Sequence, residues 1–368
     1  MPVVTCYMKE ALQLAERGRG LTSPNPTVGA VLVRDDAIVG RGFHTWAGLD
    51  HAEIGALREA QEAARGATLY VTLEPCSHQG RTKPCVEALI QAGVRRVVAA
   101  MRDPNPQVSG AGFAKLRNAG IEVQVDEAYT AEAERLNEAF SHFMKTGRPL
   151  VTVKAAVTLD GKIAAPQDNV GWITSAIARA DVQQVRHFSD AILTGLGTVL
   201  EDDCLLTDRS GRERSRPLLR IVLDSQLRIP LQSKMITSAK ADVLVVGTSA
   251  AHADRKKALE SAGIQVLIAD GAGGRTDPRK VIDYLAQERY LSLMVEAGSK
   301  VNWTMLDMQI ADKILFYYAP KILGGLKSLP VAGGAGRMRR ADAILLERLS
   351  VHPVSQDEFA VEAYVVKT

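Results

Sequence analysis

The chain has 368 residues, 46% of them hydrophobic and 24% charged, with a formal net charge of +3. That length suggests two to three domains, and the composition excludes a disordered or fibrous chain. The small net charge argues against a nucleic-acid-binding protein, and no apolar run approaches the ~20 residues of a membrane span. Residues 1–20 lack the charged, apolar and small-residue zones of a secretory signal, so a cytoplasmic protein is expected.

In chain order, residues 7–17 place Met8, Ala11, Leu12, Leu14 and Ala15 on one helical stripe. Thr22-Ser23-Pro24-Asn25-Pro26 is a loop stiffened by its prolines. Residues 28–33 and 37–43 read as strands joined by the turn Arg34-Asp35-Asp36. A helix is predicted over 52–64, from Ile54, Leu57 and Ala60, and a strand over 68–73, ending at Glu74-Pro75. Helix 86–91 follows Pro84 and is closed by Gly93; then come strand 95–100, helix 112–118, strand 121–125 and helix 130–145. A hairpin followed by strands alternating with helices predicts a mixed sheet with helices packed on it.

Within this half, His51-Ala52-Glu53, Glu74-Pro75-Cys76 and Pro84-Cys85 supply one imidazole, two thiols and, in Glu53, a free carboxylate two residues from the imidazole. That is the donor inventory of a catalytic zinc site with three protein ligands and one open position. Zinc lowers the pKa of its bound water toward neutrality. His51, Cys76 and Cys85 are therefore the expected ligands, with Glu53 near enough to move protons without ligating. H-x-E…P-C-x-x-C is the signature of zinc nucleobase deaminases, with its Glu as general acid/base. Here eight residues, not two, separate Cys76 from Cys85. Cys85 at a helix start is favoured as thiolate by the dipole. A disulfide is the weaker reading, with four cysteines and no signal peptide.

Gly147-Arg148-Pro149 marks a boundary, giving domains 1–146 and 147–368. Strands are predicted at 150–158, 191–194, 218–224, 242–247, 264–268, 291–295, 313–318, 343–350 and 358–367. Helices at 175–188 (capped by Thr174 or Ser175), 252–261, 278–287 and 301–308 lie among them, and 208–216 reads as a charged, exposed loop. The pattern is a second α/β domain. Gly195-Leu196-Gly197 begins like a dinucleotide fingerprint but lacks the third glycine, so a plain turn accounts for it equally. Glu296-Ala297-Gly298 joins a strand to a helix, where backbone N–H groups attract anions, and is also an ordinary turn. Asp202-Asp203 reads better as a solvated turn than as a metal site.

Together the halves resemble the bifunctional deaminase/reductase family of riboflavin biosynthesis. The first half carries Pro24-Asn25-Pro26-Thr27-Val28-Gly29, His51-Ala52-Glu53, the run from Leu73-Glu74-Pro75-Cys76 through His78 to Pro84-Cys85, and Asp103-Pro104-Asn105-Pro106. The eight-residue spacing is this family's own form. The second half carries Thr158-Leu159-Asp160-Gly161-Lys162, Trp172-Ile173-Thr174-Ser175, Gly197-Thr198-Val199 and Val295-Glu296-Ala297-Gly298. The resemblance implies a cytidine-deaminase-like three-layer α/β/α domain and a dihydrofolate-reductase-like α/β domain. It implies zinc and NADPH as cofactors, a pyrimidine ribosyl phosphate as substrate, no nucleic acid or membrane as partner, and a homo-oligomer, dimer or tetramer.

By the same resemblance Asn25 lies in the pyrimidine pocket. Ala156, Trp172, Thr198, Asp202, Ser225 and the turn at Gly298 and Ser299 meet NADPH. Val170, Arg186, Leu206, Arg209 and Glu296 face the substrate, and Lys154 and Asp202 stand close to the chemistry. Four positions, at three places in the chain, depart from the family's pattern. Val170 replaces a serine that commonly meets the substrate, Cys204 replaces a proline, and Ser299-Lys300 replaces Pro-Thr.

Two rival readings are weaker. A nucleic-acid-editing zinc deaminase with an accessory domain needs a basic, aromatic-bearing face, whereas only 5% of residues are aromatic. A zinc-stabilised binding module needs a fourth protein ligand, for which His78 is the residue to check.

Overall fold

In a computed structural model, residues 7–46, 49–77, 84–106, 108–167 and 170–367 are described. His78 lies outside them. The chain divides into two compact units, Met1–Gly147 with Glu213–Arg216, and Arg148–Arg212 with Pro217–Thr368.

The first unit contains α1 (Tyr7–Arg17), β1 (Gly29–Arg34), β2 (Ala37–Phe43), α2 (Ala52–Ala60), β3 (Thr68–Val71), α3 (Cys85–Gln91), β4 (Arg96–Ala99), α4 (Ala111–Asn118), β5 (Glu122–Val125), α5 (Thr130–Leu136) and α6 (Glu138–Thr146). Its five strands form one sheet in the order β2-β1-β3-β4-β5. β1 runs antiparallel to β2 and β3, while β3, β4 and β5 are parallel. The mixed sheet expected from the hairpin-then-alternation pattern is present. Leu32, Leu69, Leu89, Leu116 and Phe113 are among its fully buried core residues, each contributing about 1.5–3 kcal/mol.

Glycines on β2 let α2 lie close. A Cβ on Gly42 would stand 2.0 Å from the Ala52 carbonyl oxygen, so only hydrogen fits there. This contact sets the height of the start of α2, where His51 and Glu53 lie. Two predicted helices are shorter than expected. The one over 52–64 ends at Ala60, because Gln61 takes φ 48° and a 3₁₀ turn follows. The one over 130–145 breaks at Asn137, whose side-chain oxygen accepts from Thr27 N (2.7 Å) and whose amide donates to Thr27 O (2.9 Å). Pairing with a backbone 110 residues away outweighs continuous helix at that position.

The second unit contains β6 (Leu150–Thr158), β7 (Lys162–Ala164), α7 (Ala176–Phe188), β8 (Ala191–Gly195), α8 (Leu196–Asp202), β9 (Leu219–Leu223), α9 (Lys234–Thr237), β10 (Val243–Gly247), α10 (Ala253–Ser261), β11 (Gln265–Ile268), α11 (Pro278–Gln287), β12 (Ser292–Val295), α12 (Ser299–Asp307), β13 (Lys313–Ala319), β14 (Leu329–Pro330), β15 (Leu346–Pro353) and β16 (Phe359–Val365). Nine strands form a sheet in the order β11-β10-β9-β8-β12-β6-β13-β16-β15. It is parallel from β11 to β13, and β16 and β15 are antiparallel. β8 and β10 are buried along their whole length, as parallel strands covered on both faces must be.

The predicted strand over 343–350 starts later, at Leu346, because residues 340–342 form a 3₁₀ turn. Gly195-Leu196-Gly197 is neither a simple turn nor a glycine-rich loop: β8 passes straight into α8, with Gly195 as N-cap. α12 begins at Ser299, two residues before the predicted start, with Gly298 as its cap. β8 and β12 are neighbours, and their onward connections diverge, through α8 to β9 on one side and through α12 to β13 on the other. Such a divergence opens a crevice at the carboxyl ends of the two strands, where open α/β sheets bind ligands.

Candidate functional site

In the first unit the sheet, α2 and α3 bring four side chains together. His51 is the N-cap of α2, Glu53 lies in its first turn, Cys76 follows β3 and Cys85 opens α3. His51 Nδ1 lies 3.2 Å from Cys85 Sγ and 3.5 Å from Cys76 Sγ. The three donor atoms lie within 4.8 Å of one another, and both cysteines are free thiols. In a tetrahedral site with Zn–S of about 2.3 Å and Zn–N of about 2.0 Å, the N···S edges are about 3.5 Å, so this donor set fits zinc.

The electrostatics also suit a cation. Cys76 is lowered to about 4, first because the Cys85 thiol donates to it and then, against burial, because His51 and the Cys85 backbone N–H face it. Cys85 is pushed up by donating to that thiolate and by burial. His51 is raised, mainly by its bond to Cys76. Glu53 is only 3% exposed, and its carboxyl is pushed up to about 7 by burial and by Cys76, opposed by His51. A carboxyl poised near neutrality can both take and give a proton.

Two residues that the motif reading did not single out hold this cluster. His44, buried, faces His51 edge-on at 5.3 Å between ring centres. Its Nδ1 lies 3.0 Å from the Asp50 carbonyl and so donates; its Nε2 then accepts from the Asn25 amide at 3.1 Å. Burial lowers His44, which keeps it in this neutral tautomer and fixes Asn25. Glu74 is buried and accepts four backbone N–H groups, from Asp103 and Gly110 on Oε2 (3.2 and 2.9 Å) and Gly112 and Phe113 on Oε1 (2.9 and 3.3 Å). It ties the strand end before Cys76 to the segment that begins at Asp103. Gly112 lets that segment close up, since a Cβ there would stand 2.1 Å from Pro75 O. A charged residue between an apolar strand and a proline was the available sign of Glu74; His44 left none.

In the second unit the crevice residues meet through Glu296, which directly follows β12. Its Oε1 accepts from Lys154 Nζ on β6 at 3.0 Å. Its Oε2 accepts from Arg186 on α7, at 3.1 Å from Nε and 2.9 Å from Nη2. Burial pushes the Glu296 carboxyl up, but Lys154 and Arg186 outweigh it and hold it at about 2. Thr198 on α8 and Gly298 before α12 line the crevice from its two sides: a Cβ on Gly298 would stand 3.9 Å from Thr198 Oγ1. Ser225 follows β9, and its hydroxyl accepts from Thr276 N at 3.1 Å. Ser299 donates to the Pro330 carbonyl.

The remaining residues expected here are placed less directly. Ala156 is on β6, two residues beyond Lys154. Asp202 ends α8, and burial and Glu201 raise its carboxyl. Trp172 is exposed beneath Arg179, whose guanidinium lies 4.7 Å from the ring centre, and Val170 is 93% exposed. The Leu206 side chain is in the core, so only its backbone is available to a ligand. The loop expected to be exposed over 208–216 is so only in part, since the Asp208 side chain is buried against His187.

Residues 3–101 match the family model described as the cytidine and deoxycytidylate deaminase zinc-binding region, and residues 149–357 match the RibD C-terminal domain. The riboflavin biosynthesis protein RibD of Escherichia coli is 41% identical over 95% of this chain and 96% of its own. The structure of Acinetobacter baumannii RibD superposes with a TM-score of 0.86 at 36% identity over 98% of each chain. That of a Thermotoga maritima protein, described as a diaminohydroxyphosphoribosylaminopyrimidine deaminase/5-amino-6-(5-phosphoribosylamino)uracil reductase, does so with a TM-score of 0.82 at 34% identity over 98% of each chain. With a zinc-binding deaminase domain and an NADPH-dependent reductase domain in one polypeptide, the chain belongs to the RibD family of bifunctional deaminase/reductases of riboflavin biosynthesis.

Proposed function

We propose that this chain acts on the compounds for which the T. maritima protein is described: it deaminates a diaminohydroxyphosphoribosylaminopyrimidine and reduces the ribosyl side chain of the resulting aminouracil to ribityl. The observation that carries this reading is the cluster of His51, Cys76 and Cys85 donor atoms beside the buried Glu53 carboxyl. Deamination is assigned to residues 1–146 and reduction to 147–368.

His51, Cys76 and Cys85 are the zinc ligands. Zinc supplies a Lewis acid and hydroxide at neutral pH, and NADPH supplies hydride. Glu53, with its carboxyl near 7, takes the proton released at the nucleophile and passes it to the departing amine. Asn25, held by His44, binds the pyrimidine edge through whatever capacity that bond leaves free.

In the reductase, Ala156, Trp172, Thr198, Asp202, Ser225, Gly298 and Ser299 form the NADPH side of the crevice. Glu296, Arg186, Arg209, the Leu206 backbone and the Val170 backbone form the substrate side. Val170 has no side-chain donor, so it contributes no side-chain hydrogen bond. Lys154, its ammonium held by Glu296 at 3.0 Å, would be the group that donates a proton to the sugar oxygen. Arginine suits the 5′-phosphate because its guanidinium binds it bidentately.

A homo-oligomer is proposed as well. β15 is an edge strand of the large sheet, and Leu345, Leu349 and Val351 on or beside it are exposed; such an edge calls for a cover. Among the described residues no helix is long and apolar enough to cross a membrane. The cytoplasm is the proposed compartment because the zinc ligands include two thiols that must stay reduced. The test is an assay of the purified chain with the diaminopyrimidine nucleotide, with and without NADPH, together with zinc content. Ammonia release without NADPH, and NADPH oxidation only after it, is expected; NADPH oxidation on the undeaminated compound with no ammonia release would contradict the proposed order.

A further inference from the structure

The loop that follows α8 is held against α7 residue by residue. Arg186 Nη1 donates to the Thr207 carbonyl at 3.0 Å. His187 Nδ1 lies 2.8 Å from Asp208 Oδ2, and these side chains are 1% and 7% exposed. Gln183 Oε1 accepts from the Arg209 backbone N–H at 2.9 Å. The other Asp208 oxygen accepts from Ser210 N at 2.9 Å, and Ser210 Oγ lies 3.3 Å from the same His187 nitrogen. Gln183, Arg186 and His187 are spaced three and four apart, so they share one face of α7. Three consecutive loop residues thus have their positions read by one helix face. Arg209 itself is exposed, and its guanidinium has no partner among the described residues.

We propose that His187 and Asp208, assisted by Gln183, are positioning residues for Arg209: they fix the backbone from which its free guanidinium reaches the substrate phosphate. This rests on the reading of Arg209 as a phosphate-binding residue. The gain is preorganisation. A long exposed arginine on a mobile loop gives up loop and side-chain entropy on binding; one on a loop already clamped gives up only the side-chain part. A buried imidazole–carboxylate bond is a strong clamp, because breaking it leaves two polar groups without water. Arg186 couples the clamp to the reaction centre, since the same guanidinium that holds Thr207 also holds Glu296. The phosphate end and the hydride end of one substrate are thereby set by adjacent residues of one helix turn.

The test uses the full-length chain and two reductase substrates, the deaminated ribosyl phosphate and its dephosphorylated nucleoside, with deamination as a control in the same protein. Arg209→Ala reads the phosphate assignment; Asp208→Ala, His187→Asn and Gln183→Ala read the clamp. Each clamp variant should raise KM for the phosphate substrate about tenfold, with kcat within about twofold, the scale of one lost charge-assisted hydrogen bond. kcat/KM for the nucleoside and the rate of deamination should be unchanged, and Asp208→Asn should recover part of the loss. If Arg209→Ala lowers the preference for the phosphate and the clamp variants do not, the clamp is overturned. If Arg209→Ala leaves that preference intact, the phosphate assignment falls and the clamp with it. If His187→Asn does not fold, Asp208→Ala and the half-buried Gln183→Ala still decide the matter, and a fall in kcat on both substrates alike would show a merely structural role.

Discussion

Lys154 Nζ on β6 and Glu296 Oε1, at the end of the neighbouring β12, are 3.0 Å apart, with the Lys154 side chain 7% exposed. Glu296 gives its other oxygen to Arg186, so one carboxylate answers two nearly buried cations. Removing it leaves both cations without their anion, and breaking a buried pair in this way costs about 3–5 kcal/mol.

The first prediction follows from that arrangement and from the sign of the shift. Glu296 is held at about 2, below the ordinary glutamate value of about 4.3. A carboxyl depressed on folding stabilises above its unfolded pKa, and the contribution is lost as pH falls through the folded value. Wild type should therefore exceed Glu296→Gln in urea stability at pH 6, and the gap should close from about pH 4 down to about pH 2. A gap that stays constant over that range would contradict the assignment of the depressed pKa to Glu296.

A second prediction concerns Glu74, whose oxygens accept four backbone N–H groups beside the Cys76 loop. Glutamine is isosteric, but its NH₂ would face one of the two donor pairs. Glu74→Gln should cost roughly 1–3 kcal/mol and speed zinc loss to a chelator, while NADPH-dependent reduction is unchanged. Unaltered zinc retention would show that Glu74 serves the fold and not the metal centre.

A third concerns Gly42. A Cβ there meets Ala52 O at 2.0 Å, a main-chain atom that cannot swing aside. Gly42→Ala should displace the start of α2, with His51 and Glu53, and lower deamination by at least about tenfold, since small misplacements in a site carry large rate penalties. Gly120→Ala offers a comparison: it lies at φ 83°, with open space around its would-be side chain, so it should disturb the backbone locally without moving α2. Equal effects of the two changes on deamination would refute the close-approach argument.

Much of this was legible in the sequence, and for physical reasons. The central strands of both sheets were, because they are short apolar runs bounded by breakers, as β8 and β10 show. The gathering of His51, Cys76 and Cys85 was, because thiol, imidazole and carboxylate in one spacing suit few other chemistries. What escaped depends on partners distant in the chain. Asn137 looks like one more residue of a helix until Thr27 is beside it. Asp208 looks like part of a solvated charge run until His187 buries it. β7 and β14 pair over so few residues that no periodicity marks them. α8 was hidden because glycine at Gly195 and Gly197 suggests a turn, whereas β8 supplies the start of a helix. His44 acts by holding other groups and left no pattern of its own, whereas Glu74 was marked only by its charge between an apolar strand and a proline.

The central claim is that two independent chemistries reside in one chain, one on Glu53 and the thiol–imidazole cluster, the other on the crevice around Glu296. The most direct measurement is on Glu53→Ala, which removes the proton carrier and leaves His51, Cys76 and Cys85 in place. Zinc content should be retained, and ammonia release should fall by about 10²–10⁴-fold or more, the usual contribution of a general acid/base. NADPH oxidation with substrate already deaminated should continue near the wild-type rate. A folded, zinc-loaded Glu53→Ala protein that had lost both activities would contradict the account.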